Sequence, residues 1–285
     1  MYLSRREGLY NVCWTIHLVC FALIIAIAFI LVIPEGYFGS SNGLIDSWVH
    51  AAVSHAKEFG KIELASLTVV LGFSKFLCSQ IGPGWVWNAI EGLLTEFRKH
   101  SFTKICLESE QYSHRVTLFQ YVTYRHWWFL FTSRCWLKCF RFVGGLRGPW
   151  SGWLIVVRRS GNAKKRTNLV FLACDDGENA EGLAGRAFRG GQTYLVNGLP
   201  LINESSSDTD IAEYATKTYV DVRWVRKRLA ERKTLSRSIA AIPIEVDHKP
   251  WGVIVIDSTE PTGIKIQPNA KDVAAFMLGK LLKGL

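Results

Sequence analysis

The sequence predicts an α+β domain behind an N-terminal membrane anchor. Three observations predict it. Val12 to Ile33 is a run of 22 residues without a charge, preceded by Arg5 and Arg6 and followed by Pro34. As a helix that run is about 33 Å long, against about 30 Å of bilayer hydrocarbon. Beyond residue 86, short β-rich segments alternate with amphipathic ones, without the regular strand–helix–strand spacing of a parallel sheet. Hydrophobic residues make up 49% of the 285 and charged residues 20%. That is ample for a core, and too highly charged for a chain lying mostly in lipid.

The anchor is taken as residues 1–86, with a span at 12–33. A cleavable signal peptide has an apolar core of about 7–15 residues and a small-residue cleavage site; here the run is longer and no A-x-A site follows. After the turn region around Gly36, Gly39 and Gly43 comes a second apolar stretch, Leu64 to Val86, interrupted by Lys75. It is expected to form a second span if Lys75 snorkels, or otherwise to lie beside the first. With two spans, the cationic residues at both ends place both termini in the cytoplasm.

Residues 87–285 are the folded domain. Trp87 to Phe97 has apolar residues at helical spacing. Val116 to Val122, Trp153 to Val157 and Asn168 to Ala173 read as strands. Ala180 to Phe188 reads as a helix stopped by Gly190-Gly191, and Gln192 to Val196 as a short strand. Asp208 to Thr218 and Arg223 to Lys233 read as helices. Ile239 to Val246 and Trp251 to Asp257 form a hairpin across His248-Lys249-Pro250, and Asn269 to Leu282 is a closing helix.

The net charge of +10 is unevenly placed. Gln111 to Cys174 holds eleven Lys and Arg and no Asp or Glu, so the rest of the chain carries 23 basic and 24 acidic groups. Such a block attracts anionic lipid, phosphorylated ligands or nucleic acid. The seven cysteines are odd in number, and Cys135-x₃-Cys139 lacks a second ligand pair. Free thiols are therefore expected, with no metal.

Three blocks carry a resemblance. They are Glu181-Gly182-Leu183-Ala184-Gly185-Arg186-Ala187-Phe188, then Arg237-Ser238-Ile239-Ala240-Ala241-Ile242-Pro243-Ile244, then Trp251-Gly252-Val253-Ile254-Val255-Ile256-Asp257-Ser258. Together they resemble the GAF domain family. The resemblance implies a six-stranded antiparallel sheet backed by helices, in a module that binds small molecules or dimerises. It names no cofactor. The Asn-Lys-x-n-Phe-x-x-x-Asp-Glu signature of the cyclic-nucleotide subgroup is missing. Cys174 is followed by Asp175 rather than the His of a bilin attachment site, and no cysteine follows Cys174.

The sequence departs from the family at residues 124–152, where Arg125, Arg134, Lys138, Arg141 and Arg147 alternate with rings that include Trp127, Trp128 and Trp136. Three readings stand: a membrane-surface element with rings at the interface and cations on lipid phosphates, a structural insertion, and nucleic-acid stacking. No nucleic-acid motif supports the last. The membrane-surface candidates are Arg125, Trp127, Trp128, Arg134, Trp136, Lys138 and Arg141.

A ligand pocket is expected between the sheet and the segment from Asp175 to Tyr214. Its candidate polar groups are Asp176, Glu181, Arg186, Tyr194, Asp208, Asp210 and Tyr214. Each also has an ordinary structural reading, Asp208 as a helix N-cap and the tyrosines as core with a polar tip. Arg226, Lys227, Arg228, Arg232 and Lys233 can grip an anion or form a solvated helix face.

No phosphate loop, G-x-S-x-G or metal cluster is legible, so no catalysis is expected. The expected function is a membrane-anchored sensory module of bacterial type in the inner membrane. Its domain lies in the cytoplasm and binds a small molecule, and it acts through homo-oligomerisation, a separate output protein or its own membrane helices, as a defence-type effector would. The alternative is a closed GAF module that serves dimerisation and docks on anionic lipid through residues 124–152.

Overall fold

The computed structural model describes residues 2–32, 44–102, 113–123, 141–142, 146–147, 151–161, 169–173, 180–265, 275 and 277–282. The chain divides into two compact units, Met1–Trp85 and Val86–Gly284.

In the first unit, α1 (Tyr2–Val32) packs along α2 (Leu44–Ile81). The seam between them is built of small groups. A side chain at Gly60 would meet Ile27 and Leu31, Cys13, Cys20, Ala56 and Cys78 are buried, and the Ser74 hydroxyl lies 3.4 Å from His17 Nδ1. The rest of α1 is exposed apolar surface: Phe21, Ile25, Phe29 and Val32 are each more than half accessible. Among the described residues, Leu9–Val32 is the one segment long and apolar enough to cross a membrane. The stretch from Leu64 to Val86 is divided between two helices. It ends α2 at Ile81, turns at Gly82 with φ of 73° and Pro83, and begins α3 (Gly84–Ser101). The left-handed glycine and the proline stop the first helix.

The second unit is an α+β fold built on a six-stranded antiparallel sheet. Its strands are β1 (His114–Val122), β4 (Trp153–Ser160), β5 (Val170–Leu172), β6 (Tyr194–Val196), β7 (Ser238–Val246) and β8 (Lys249–Ser258), in the order β5-β4-β1-β8-β7-β6. A two-stranded ribbon, β2 (Arg141–Phe142) with β3 (Leu146–Arg147), lies outside it. Three helices follow β5: α4 (Gly182–Gly190), α5 (Asp208–Thr218) and α6 (Val222–Ala230). Residues 277–282 are helical at the C-terminal end.

Residues paired across antiparallel strands share a face. On one face Val116, Leu118, Ile254, Ile256 and Ile242 are fully buried, and α3 presents Trp87, Ile90, Leu94 and Phe97 to the core of the unit. On the other, Phe119, Val253 and Ala241 pack with Leu183, Ala184, Ala187 and Phe188 of α4. Burying such faces on both sides of a sheet supplies the main driving force, about 25 cal/mol per Å² of apolar surface.

Two glycines are required by close approach. A Cβ on Gly185 would lie 2.8 Å from the Leu172 carbonyl, so α4 sits directly on β5; one on Gly252 would collide with the Phe119 carbonyl in the facing strand. Pro243 lies beyond the residues that β6 pairs, and Pro250 beyond those that β1 pairs. On those sides neither removes a ladder donor, and both prolines are paired within the β7–β8 ladder.

The hairpin turn differs from the expected one. Val246 pairs Lys249, so the loop is Asp247-His248, with φ of 50° and 61°, and Pro250 is in the strand. A two-residue loop with both residues left-handed matches the right-handed twist of the strands, which is why it prevails over a turn centred on proline.

Candidate functional site

The β1/β4 ladder sets up the site. Leu118 pairs Arg158 and Phe119 pairs Val156, so Val157 is an extra residue in β4. A bulge of this kind changes which face the following side chains occupy. Arg158 turns to α3, where Nε donates to the Trp87 carbonyl (3.1 Å), Nη2 donates to Asn88 (3.1 Å) and Nη1 lies 3.2 Å from Glu91. Arg159 turns to the other face and donates from Nε to Thr117 Oγ1 at 3.0 Å.

On that second face lies a cavity of about 440 Å³, within the usual range for small-ligand sites. Its floor is Arg115, Thr117 and Phe119 of β1, Arg159 of β4, and Val255 and Asp257 of β8. Leu183 and Ala184 of α4, Tyr214 of α5, and Trp224 and Arg228 of α6 stand over it, with residues 232–236 at the side. Asp221 starts α6 by accepting a hydrogen bond from the Arg223 amide (2.6 Å). Arg232, with φ of 50°, ends it: its amide donates to the Leu229 carbonyl, and the Lys233 amide donates to that of Arg228. This reversal brings Arg232 and Lys233 to the cavity that Arg228 already lines.

Five cationic side chains and one carboxylate line the cavity among the described residues: Arg115, Arg159, Arg228, Arg232 and Lys233 against Asp257. Arg115 engages Asp257 from Nε at 2.7 Å and again from Nη2. The same Asp257 oxygen accepts from Ser236 Oγ at 2.9 Å, and the Ser236 carbonyl accepts from the Tyr214 hydroxyl at 3.0 Å. Asp257 holds the Arg115 guanidinium above its ordinary pKa. Burial pushes Arg159 down to about 10, with Arg115 and Arg228 adding repulsion that Asp257 partly opposes. Burial, then the neighbouring Asp257, pushes the Tyr214 phenol above its ordinary value. Arg228, which lines the cavity from α6, lies over the Trp224 ring at 4.9 Å and 3.8 Å from Glu231.

Of the expected ligand residues, Tyr214 lines the cavity. Glu181 stands at the N-cap of α4 and accepts from the Leu172 amide at 3.3 Å. Arg186 lies over the Tyr219 ring at 4.7 Å, and Tyr194 packs on the core cluster under α4. Asp208 is exposed and pairs with Arg226 at 3.0 Å; Asp210 closes a capping box with Ser207, which is the N-cap of α5 in place of Asp208. A serine there leaves Asp208 in the first turn, where its charge favours the helix N-terminus. Asp176 lies outside the described residues, as do Arg125, Trp127, Trp128, Arg134, Trp136 and Lys138; the backbone of Arg141 is in β2. Arg228, Arg232 and Lys233 of the expected cationic cluster reach the cavity.

Sequence reading missed Arg115, Arg159 and Asp257. Arg115-x-Thr117-x-Phe119 does carry a signal, because polar residues sit at the period-2 positions of a strand whose other positions are apolar. Arg159 carries none: counted from Leu154 and Val156 by plain alternation, Arg158 would share their face.

No protein-family model matches the chain, and no curated protein sequence matches it. Among solved structures, it is similar to the chromophore-binding domain of the bacteriophytochrome RpBphP3 from R. palustris, with 13% identity, 70% of this chain and 54% of that one covered, and a TM-score of 0.33. It is also similar to the cyanobacteriochrome receptor PixJ, with 11% identity, coverage of 70% and 97%, and a TM-score of 0.30. A third is the chromophore-binding domain of Stigmatella aurantiaca phytochrome P1, with 12% identity, coverage of 69% and 52%, and a TM-score of 0.29. The chain spans about half the length of the two phytochrome chains. At these identities and scores neither ligand nor activity passes from those proteins to this one.

Proposed function

We propose that this chain is a membrane-anchored sensory module whose GAF-like domain binds a small organic anion without transforming it. The observation that carries the reading is the charge of the cavity: five cations face one carboxylate, and Arg115 already engages that carboxylate. Arg159 in the floor donates from Nε to the neutral Thr117 hydroxyl, and a largely buried guanidinium held in this way suits an anion from outside. The chemistry of the lining suits binding, with Phe119, Phe171 and Leu183 offering apolar area beside the guanidinium groups. The exposed apolar surface of Leu9–Val32 supports the anchor. On this reading the domain is cytoplasmic at the inner membrane, and binding is transmitted through the membrane helices, a second copy of the chain or an output protein.

The test is thermal unfolding of the full chain in a non-ionic detergent, against a panel of small anionic, neutral and cationic aromatic compounds. Anionic compounds are expected to raise the Tm. Thr234→Trp, at an exposed position on the cavity lining, is expected to cancel the rise. A panel with no effect, or an effect that survives Thr234→Trp, overturns the reading. Reporter fusions after Gly43 and after Leu285 test the anchor: two spans place Gly43 outside and the C-terminus inside.

A further inference from the structure

The floor of the cavity sets a polar rung beside an aromatic one. Thr117 of β1 pairs Arg159 of β4, and two residues along β1 Phe119 pairs Val156. Arg159 Nε donates to Thr117 Oγ1 at 3.0 Å, which ties the guanidinium to its own rung. That is its one hydrogen bond among the described residues. With Nε engaged, Nη1 and Nη2 remain, an end-on fork that meets the two oxygens of one planar carboxylate. Phe119 lines the cavity together with Phe171 of β5, their ring centroids 5.5 Å apart and their planes at 54°. Two residues of strand span about 7 Å, so the rings lie one short linker away from the guanidinium.

We infer that the cavity takes a soluble aryl carboxylate, its carboxylate end-on against Arg159 and its ring beside Phe119 and Phe171. The inference rests on the reading of this cavity as an anion site. Arg159 sets the affinity for the head group, and Thr117 is a positioning residue that holds the guanidinium in place. Leu169, Leu183 and Val255 continue the apolar lining around the two rings. Apolar walls favour a single charge on the ligand. Attraction to a guanidinium grows in proportion to the ligand's charge, whereas the Born cost of taking that charge out of water grows with its square. A carboxylate therefore suits this lining better than a dianionic phosphate ester does.

The experiment is titration calorimetry of the full chain in non-ionic detergent with hydrocinnamate, hydrocinnamyl alcohol, hexanoate and phenethyl phosphate. Hydrocinnamate is expected to bind about tenfold more tightly than its alcohol, as a charge-assisted bond to Arg159 requires, and several-fold more tightly than hexanoate or phenethyl phosphate. Arg159→Gln should cost about tenfold for hydrocinnamate and little for the alcohol. Thr117→Val keeps the side chain's shape and removes the Nε acceptor. It should weaken hydrocinnamate several-fold and leave the alcohol unchanged, a selectivity that a merely structural role would not move. Tighter binding of phenethyl phosphate than of hydrocinnamate overturns the carboxylate assignment and leaves the anion site standing. Equal binding of hydrocinnamate and hexanoate overturns the place of the ring. Hydrocinnamate that binds no better than its alcohol, or that ignores both substitutions, overturns the role of Arg159. If no anion of the set binds, the anion site falls with the inference. Oleate in mixed micelles is expected not to compete; competition would make a lipid the source and overturn the soluble ligand.

Discussion

Arg158 and Arg159 are neighbours in β4 and serve opposite faces of the sheet. The first donates to the Trp87 carbonyl of α3, and the second to Thr117 in the floor of the cavity. The bulged Val157 separates their roles, because without it the two guanidinium groups would exchange faces.

Arg158 is a fastening for α3. Its side chain is 2% exposed and its partner Glu91 is 49% exposed, so Glu91 regains water when the pair is broken while the Trp87 carbonyl does not. Arg158→Ala is expected to destabilise the protein by about 2–4 kcal/mol, near the range for breaking a buried pair. Denaturant unfolding of the full chain measures it. A loss below about 1 kcal/mol would show that α3 is held by its apolar contacts alone.

Arg159 imposes the opposite sign. Its pKa is depressed to about 10 by burial and by Arg115 and Arg228. At neutral pH it is protonated folded and unfolded, and the burial of that charge is a constant cost. Arg159→Gln is expected to raise the ligand-free stability by about 1 kcal/mol while weakening anion binding. A variant less stable than the native chain would show that the Thr117 hydrogen bond outweighs the burial of the charge.

Tyr214 makes stability fall at alkaline pH. Its folded-state pKa lies above the unfolded value of 10.0, so above pH 10 the unfolded chain loses a proton that the folded chain keeps. The unfolded state then binds fewer protons, and stability declines as pH rises. Tyr214→Phe is expected to cost about 1 kcal/mol at pH 7 through the lost hydrogen bond to the Ser236 carbonyl, and to remove this part of the alkaline decline. The difference between the two proteins across pH 9–11 is the measurement, since the contribution of Arg159 cancels in it.

Gly252 and Gly191 differ in what replaces them. A Cβ on Gly252 meets the backbone carbonyl of Phe119, whereas one on Gly191 meets nothing and pays only for a φ of 61°. Gly252→Ala is expected to cost about 3 kcal/mol or more, like other overpacked cores, and Gly191→Ala about 1 kcal/mol. Thermal unfolding of both variants gives the comparison.

His248 sits left-handed in the β7–β8 loop with φ of 61°. His248→Gly is expected to stabilise the protein by about 0.5–1 kcal/mol, because glycine adopts that conformation without steric penalty. A decrease in stability would show that the imidazole makes a contact of more worth than the relieved strain.

Most elements of the domain were legible because their signals are local. Asp208 to Thr218 is a helix with the expected bounds, and the strand positions of β1, β4, β7 and β8 follow from period-2 apolar residues in 114–258. The Gly185 and Gly252 approaches were legible as glycines at fixed places in the three resembling blocks. The cavity was legible only in part. Tyr214, Arg228, Arg232 and Lys233 stood among the candidates, while Asp208 and Asp210 turned out to serve the start of a helix, as acidic residues beside a serine cap do.

The sequence by itself determined the long uncharged N-terminal run, the α+β alternation and the excess of cations between Gln111 and Cys174, since hydrophobic period and charge are properties of neighbouring residues. Only the tertiary structure decided which cations converge. Arg115 and Asp257 are separated by more than a hundred residues and meet because β1 and β8 pair in one register. Arg159 joins them because of a single extra residue in β4. Register and bulges are fixed by how strands pack on one another, and a linear pattern carries no record of that packing.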